Sequence, residues 1–122
     1  MIHLDYRDVR PIYAQIMDGF KEQISSGVLQ PGERLPSVRE LAASLAINPN
    51  TIQRSYRQLE MDGWIVTVPG KGCFVRSDER PVEEEKRRLL AALDASVEAL
   101  LAFGVSRDVL IARIQRGGNN HA

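Results

Sequence analysis

Apolar residues recur every fourth position at Ile12, Ile16, Phe20 and Ile24, with Tyr13 and Met17 beside them, directly after Pro11. That spacing predicts a first helix, opened at a proline-tolerant turn and ending near Ser26-Gly27. Pro31-Gly32 reads as a turn, and Arg34-Leu35-Pro36 as a short extended piece, because the residue before a proline is pushed away from helical angles. Ser37-Val38-Arg39-Glu40 then has the spacing of a capping box at the start of a second helix, whose apolar positions are Val38, Leu41, Ala42 and Leu45. Only Ala46-Ile47 separates it from Asn48-Pro49, an N-cap residue followed by proline at the first helical position. The third helix buries Ile52, Tyr56 and Leu59, turns Asn50, Gln53, Arg54 and Arg57 the other way, and stops at Asp62-Gly63. Two short helices joined by a tight turn make a helix-turn-helix whose second member shows a polar, cationic face.

Trp64 to Val68 and Cys73 to Val75 are short β-branched or aromatic runs flanking Pro69-Gly70-Lys71-Gly72, which reads as a hairpin with a basic tip. Beyond it, Leu89, Leu93, Val97 and Leu100, with Leu90 and Leu101 alongside, predict a helix from about residue 82 to Phe103, capped by Gly104. Ser106 can cap a last helix carrying Val109, Leu110, Ile111 and Ile114, and Gly117 to Ala122 should fray. The fold class is therefore mostly α with a small β-hairpin: a winged helix-turn-helix over 1–76, a polar linker over 77–81, and a two-helix tail over 82–122. So short a helical pair buries too little surface to stand alone. Its partner is either its own winged-helix domain or the same tail of another chain, and symmetric pairing of identical chains is the commonest solution. Leu89, Leu93, Val97, Leu100, Leu101, Val109, Leu110 and Ile114 are the expected dimerisation residues.

Composition narrows the function. In 122 residues, sixteen Lys and Arg balance sixteen Asp and Glu, so attraction to a polyanion has to come from local placement of charge. Residues 34–57 supply it, with Arg34, Arg39, Arg54 and Arg57 against Glu40 alone. The single cysteine, Cys73, forms no internal disulfide, and with only His3 and His121 no set has zinc-ligand spacing. Neither an apolar run of bilayer length nor a basic-then-hydrophobic leader is present, so a soluble, cytoplasmic protein is expected. Nothing pairs a nucleophile with a general base, and Gly70-Lys71-Gly72 is too short for a phosphate-cradling loop, so neither an enzyme, a cofactor nor a metal is expected.

Taken singly, these residues have plain readings. Arginines on a helix are usually a solvated face. Tyr56 and Trp64 read as core, Ser37 and Asn48 first as caps, and Cys73 as a small strand residue facing inward, although Lys71 nearby would favour its thiolate. Glu83 to Glu85 followed by Lys86 to Arg88 reads as helix-stabilising ion pairs. The combined order of helix, helix-turn-helix and basic wing favours nucleic acid.

From Pro11 to Val75 the sequence resembles the amino-terminal domain of the GntR family of bacterial transcription regulators. The resemblance rests on Pro11 to Ile16, Gly27 to Ala42, Asn48 to Arg54 with Tyr56 and Leu59-Glu60, and Gly70 to Val75. The short tail is similar to that of the YtrA-type subgroup, which has a dimerising tail in place of a large effector domain. The first half also resembles the MocR-type subgroup, which continues into an aminotransferase-like domain for which this chain has no room. The resemblance implies a repressor that binds an inverted-repeat operator in double-stranded DNA as a homodimer, with half-sites about one helical turn, ~10 bp, or a multiple apart. It also leaves room for an unidentified small-molecule effector between tail and DNA-binding domain. The alternative use of such a module is protein or RNA contact.

Carried over residue by residue, the family's recognition positions fall on Asn50, Thr51, Gln53 and Arg54, with Arg39 on the second helix. Asn50 and Gln53 each donate and accept, matching an adenine edge, and Arg54 suits guanine or a phosphate. Thr51 reaches the backbone or a thymine methyl, Arg57 adds charge, and Ser37 offers its amide or hydroxyl to phosphate. At the wing, Gly70 and Gly72 let the backbone approach the sugar-phosphate chain while Lys71 carries the charge. Pro49-Asn50 and Gln53 stand where arginines often occur in the family, which bears on operator sequence rather than on docking.

Overall fold

The computed structural model describes residues 2–78 and 80–117, and its elements follow the order expected from the sequence. They are α1 (Ile12–Ser25), α2 (Val38–Leu45), α3 (Pro49–Met61), β1 (Ile65–Val68), β2 (Gly72–Val75), α4 (Arg80–Ala102) and α5 (Arg107–Gln115). The chain divides into two compact units, Met1–Val82 and Glu83–Ala122.

In the first unit, α1 and α2 pack on α3. Ile16, Phe20, Leu35, Leu41, Ile52, Tyr56, Leu59, Trp64, Ile65 and Val75 form a closed core, so Tyr56 and Trp64 are the core residues their positions suggest. The Phe20 and Tyr56 rings meet edge to face at 5.7 Å and 77°. The Tyr56 hydroxyl donates to Pro36 O at 2.7 Å, and burial raises the pKa of that phenol. Ile2 also joins this core, seated against Gly19 of α1. Gln15 holds the chain behind it: its side chain accepts from Asp5 N (2.7 Å) and donates to Asp5 O and Arg10 O.

Helix ends are set locally. Ser37 and Glu40 form both halves of the capping box, at 3.0 and 2.7 Å. Asn48 Oδ1 accepts from Asn50 N at 2.8 Å. Beyond α3, Gly63 lies at φ +87, and the Trp64 and Gly63 amides return to the Leu59 and Glu60 carbonyls, the bonding of a Schellman cap. The α2–α3 turn repeats that bonding, from the Ile47 and Ala46 amides to the Ala42 and Ala43 carbonyls, but through Ala46 at φ +56, a left-handed residue with a Cβ. That conformation costs about 1–2 kcal/mol.

The antiparallel hairpin pairs Ile65 with Val75 and Val68 with Gly72. A third extended piece joins it: Leu35 N donates to Cys73 O (2.8 Å), Val75 N to Glu33 O and Gly32 N to Val75 O (both 2.9 Å). Cys73 is half-buried, with Thr67 Oγ1 at 3.5 Å from its sulfur.

Helix α4, most of which belongs to the second unit, begins at Arg80 rather than at residue 82, with Pro81 in its first turn, where a missing amide hydrogen costs nothing. The linker expected over 77–81 is shorter for that reason, and its Glu79 lies outside the described residues, as do 118–122 of the segment expected to fray. Gly104, at φ +93, closes α4, with Val105 N and Gly104 N on the Leu100 and Leu101 carbonyls. Ser106 Oγ then caps α5 through Val109 N at 3.3 Å. Among the described residues no helix is long and apolar enough to cross a membrane.

Candidate nucleic-acid interface

The inner face of α3 is fixed by Ile52, Ser55, Tyr56 and Leu59, all buried. Ser55 is completely enclosed, and its hydroxyl reaches Tyr13 O at 3.0 Å with Thr51 O at 3.1 Å as its other acceptor. With one side of α3 bolted to α1 and Pro36, helical periodicity leaves Asn50, Gln53, Arg54 and Arg57 exposed together on the other. Thr51 is half-buried at the helix start, behind its cap Asn48. The side chains of Asn50, Gln53 and Arg57 make no hydrogen bond or ion pair with any described residue, so their donors and acceptors remain available to a ligand. Arg54 is placed differently: its guanidinium carbon lies 3.7 Å from the centroid of the Tyr13 ring. Pro11, Ile12 and Tyr13 of the α1 start and Asn50, Thr51 and Arg54 of α3 line one open recess.

Arg39 stands exposed on α2. Ser37 retains only part of the capacity assigned to it, because its amide is already donated to Glu40 Oε1 and its oxygen accepts from Glu40 N, and its one remaining donor, the hydroxyl hydrogen, is shared with the Glu40 carboxyl. The Ser37 amide and hydroxyl, with a smaller contribution from Arg34, hold the Glu40 carboxyl below its ordinary pKa, so the one acid within this basic stretch is a stable anion tied to the helix start.

At the wing, Lys71 is exposed and Lys71 N closes the turn onto Val68 O at 2.9 Å. The two glycines differ. A Cβ on Gly70 (φ +76) would meet nothing within 4 Å, so the open approach for a backbone contact is there. On Gly72 (φ +120) it would lie 3.0 Å from Arg34 Nε, because the Arg34 side chain crosses this position and donates to Lys71 O at 3.2 Å. Thr67 joins the hairpin to α3 through Glu60 at 3.1 and 3.3 Å.

Sequence reasoning does not assign Tyr13 to the site, and it counts Arg34 only as part of the cationic stretch. The stack of Tyr13 on Arg54 and the brace from Arg34 to the wing each join residues 37 or more positions apart, and only the tertiary arrangement brings them together. The acids of the amino-terminal segment collect elsewhere: Asp5, Asp8, Asp18 and Glu22, together with His3 and Arg10, line a hollow that shares no residue with α3 or the wing. There Arg10 pairs with Asp8 and Asp18, and its hydrogen bonds keep the Asp8 carboxyl below its ordinary pKa.

In the second unit, Leu89, Leu93, Leu100, Val109 and Ile114 are exposed and Val97, Leu101 and Leu110 half-buried. Leucines and β-branched residues are thus left uncovered on both α4 and α5.

Comparison with known proteins gives a consistent result. The family model described as bacterial regulatory proteins, gntR family, matches residues 12–75. The HTH-type transcriptional repressor YtrA of Bacillus subtilis is 42% identical over 80 residues, which are 66% of this chain and 62% of that protein, so the match spans under two thirds of YtrA. The HTH-type transcriptional regulator YhcF of the same organism is 34% identical over 90% of this chain and 92% of its own length. A solved GntR family transcriptional regulator from Listeria monocytogenes superposes with a TM-score of 0.77 at 34% identity, covering 93% of this chain and 98% of that one.

Proposed function

Because the chain belongs to the gntR family of bacterial regulatory proteins, we propose that it is a cytoplasmic homodimeric repressor that reads an inverted-repeat operator, one α3 entering each of two major grooves. The carrying observation is the exposed face of α3, where Asn50, Gln53 and Arg57 stand with uncommitted polar groups on a helix whose opposite face is locked into the core. A helix of this kind fits the major groove, where amide side chains match adenine and guanidinium matches guanine or phosphate. Arg39 and the Lys71 wing add backbone contacts that set register. Ser37 contributes its hydroxyl, and Gly70 the close backbone approach. The name of the relative YtrA supports repression, achieved by occupying DNA that polymerase needs.

Pairing is assigned to the tail. Leu89 and Leu93 are 52% and 47% exposed, and Val109 and Ile114 55% and 65%. Apolar side chains of this size are stabilised by covering them, and a second copy offers the same surface to itself. Selection of duplexes from a random pool by the intact chain at fixed salt tests the reading. The expected product is two inverted half-sites spaced ~10 bp or a multiple, centre to centre. No enrichment above a polyanion competitor refutes DNA reading, and a monomer in sedimentation at micromolar concentration refutes the pairing.

A further inference from the structure

We propose that Tyr13, on α1, is a positioning residue for DNA binding: its ring holds the Arg54 guanidinium at the mouth of the α1–α3 recess, aimed at a backbone phosphate rather than a base. The inference rests on the DNA-reading function proposed above. Arg54 is exposed and makes no hydrogen bond or ion pair with any described residue, yet its guanidinium lies 3.7 Å from the Tyr13 ring centroid. A guanidinium over an aromatic face keeps its in-plane N–H donors free, because the contact uses only the face of the cation. The stack thus removes rotamer freedom without consuming a donor.

The platform is itself fixed. Tyr13 is half-buried against the core, and its carbonyl receives the hydroxyl of fully enclosed Ser55, the residue next to Arg54, at 3.0 Å. Arg54 and its platform are consequently tied together by backbone and by ring. Direction follows from geometry: the ring contact draws Arg54 towards the start of α1, whose Pro11, Ile12 and Tyr13 line the same recess. In a helix-turn-helix, elements flanking the recognition helix meet the sugar-phosphate chain, so a cation drawn to that flank serves a phosphate.

The test is a double-mutant cycle of Tyr13→Ala and Arg54→Ala, with Tyr13→Phe as the conservative variant. It is read on a duplex selected by the wild-type chain and on a random-sequence duplex between about 50 and 200 mM salt. Tyr13→Ala should weaken both duplexes roughly two- to fivefold, the range of an exposed cation–π contact. Tyr13→Phe should bind as wild type, since the ring face is kept. Arg54→Ala should reduce the salt slope by about 0.9 for each bound protomer, one phosphate contact apiece, and Tyr13→Ala should add little once Arg54 is gone. Equal Tyr13→Ala losses in both arginine backgrounds, a Tyr13→Phe loss as large as that of alanine, or an Arg54→Ala loss confined to the selected duplex would overturn the inference and leave the DNA-reading function standing. Absence of any duplex preference in the wild-type chain overturns both.

Discussion

Gly19→Ala offers a demanding check on the packing that supports the interface, because its effect should change sign with the residue opposite. A Cβ built on Gly19 stands 2.5 Å from Ile2 Cδ1, too close for both to stay. The flexible end of Ile2 is the softer partner, so the side chain leaves its place in the core, where it is 7% exposed. Losing a buried isoleucine costs about 1.5–3 kcal/mol. Alanine inside a helix recovers about 1 kcal/mol relative to glycine. The net destabilisation is then about 0.5–2 kcal/mol, which lowers the melting temperature by about 4–8 °C per kcal/mol for a unit of this size. In an Ile2→Ala background the obstacle is gone, and Gly19→Ala should stabilise by up to about 1 kcal/mol. Urea unfolding of the four proteins measures both legs. A stabilising Gly19→Ala in the wild type, or the same cost in both backgrounds, would refute the proposed seating of Ile2 on α1.

Four further outcomes are expected. Gln53→Ala should cost about 1–3 kcal/mol on a selected duplex and little on a random one, and equal losses would remove its base-reading role. Lys71→Ala should weaken every duplex and reduce the salt slope by about one for each bound protomer, so an unchanged slope counts against the wing. Leu93→Glu should yield monomers in sedimentation and about half the salt slope, with thermal unfolding of the first unit unaltered; a dimer that survives the charge rejects the tail as the pairing surface. For Glu40, whose folded pKa lies below its ordinary value, the stabilisation is fully present above the ordinary carboxylate range and is lost as pH falls through the lowered folded value. The stability gap between wild type and Glu40→Ala should accordingly be constant near neutrality and narrow in acid, and a gap that persists at the acid end would contradict the ion's part in the capping box.

Elements with strong local signals are legible in the sequence alone. Ser37 and Glu40, Asn48-Pro49 and Ser106 mark helix starts through groups that satisfy orphan amides within three residues, and each forms as expected. The exposed polar row of α3 follows from period alone. What is not legible depends on chain segments that meet only after folding. Arg54 on Tyr13, Arg34 across Gly72 and Ile2 on Gly19 are contacts between distant positions, and no spacing rule links them. Gly72 shows the difference well. Sequence assigns its small size to a nearby phosphate, whereas the fold already uses the space for the Arg34 side chain. Ala46 carries no turn signal at all, yet it takes the left-handed place that closes α2, with the Ile47 and Ala46 amides returning to the Ala42 and Ala43 carbonyls. Arg80 and Pro81 begin α4 without an apolar period, so their polar stretch reads as linker although it is helical.

Electrostatics makes the proposed pairing a requirement of the DNA-binding reading rather than an accessory to it. The chain is neutral overall, and the first unit offers five exposed cations around α3 and the wing: Arg34, Arg39, Arg54, Arg57 and Lys71. If every one met a phosphate, raising salt from about 50 to 200 mM would weaken a lone unit by on the order of several hundred fold. With Arg34 already braced against Lys71 O, fewer than five would be fully engaged. Acids elsewhere on the same chain cancel the long-range field that could otherwise compensate. A single unit would therefore hold DNA weakly at physiological salt, on any sequence. Joining two units makes the second contact intramolecular, at an effective concentration in the millimolar range, and doubles the number of bases read. Neutrality then becomes useful: stray duplex, touched by one unit at a time, is released, while an inverted repeat engages both.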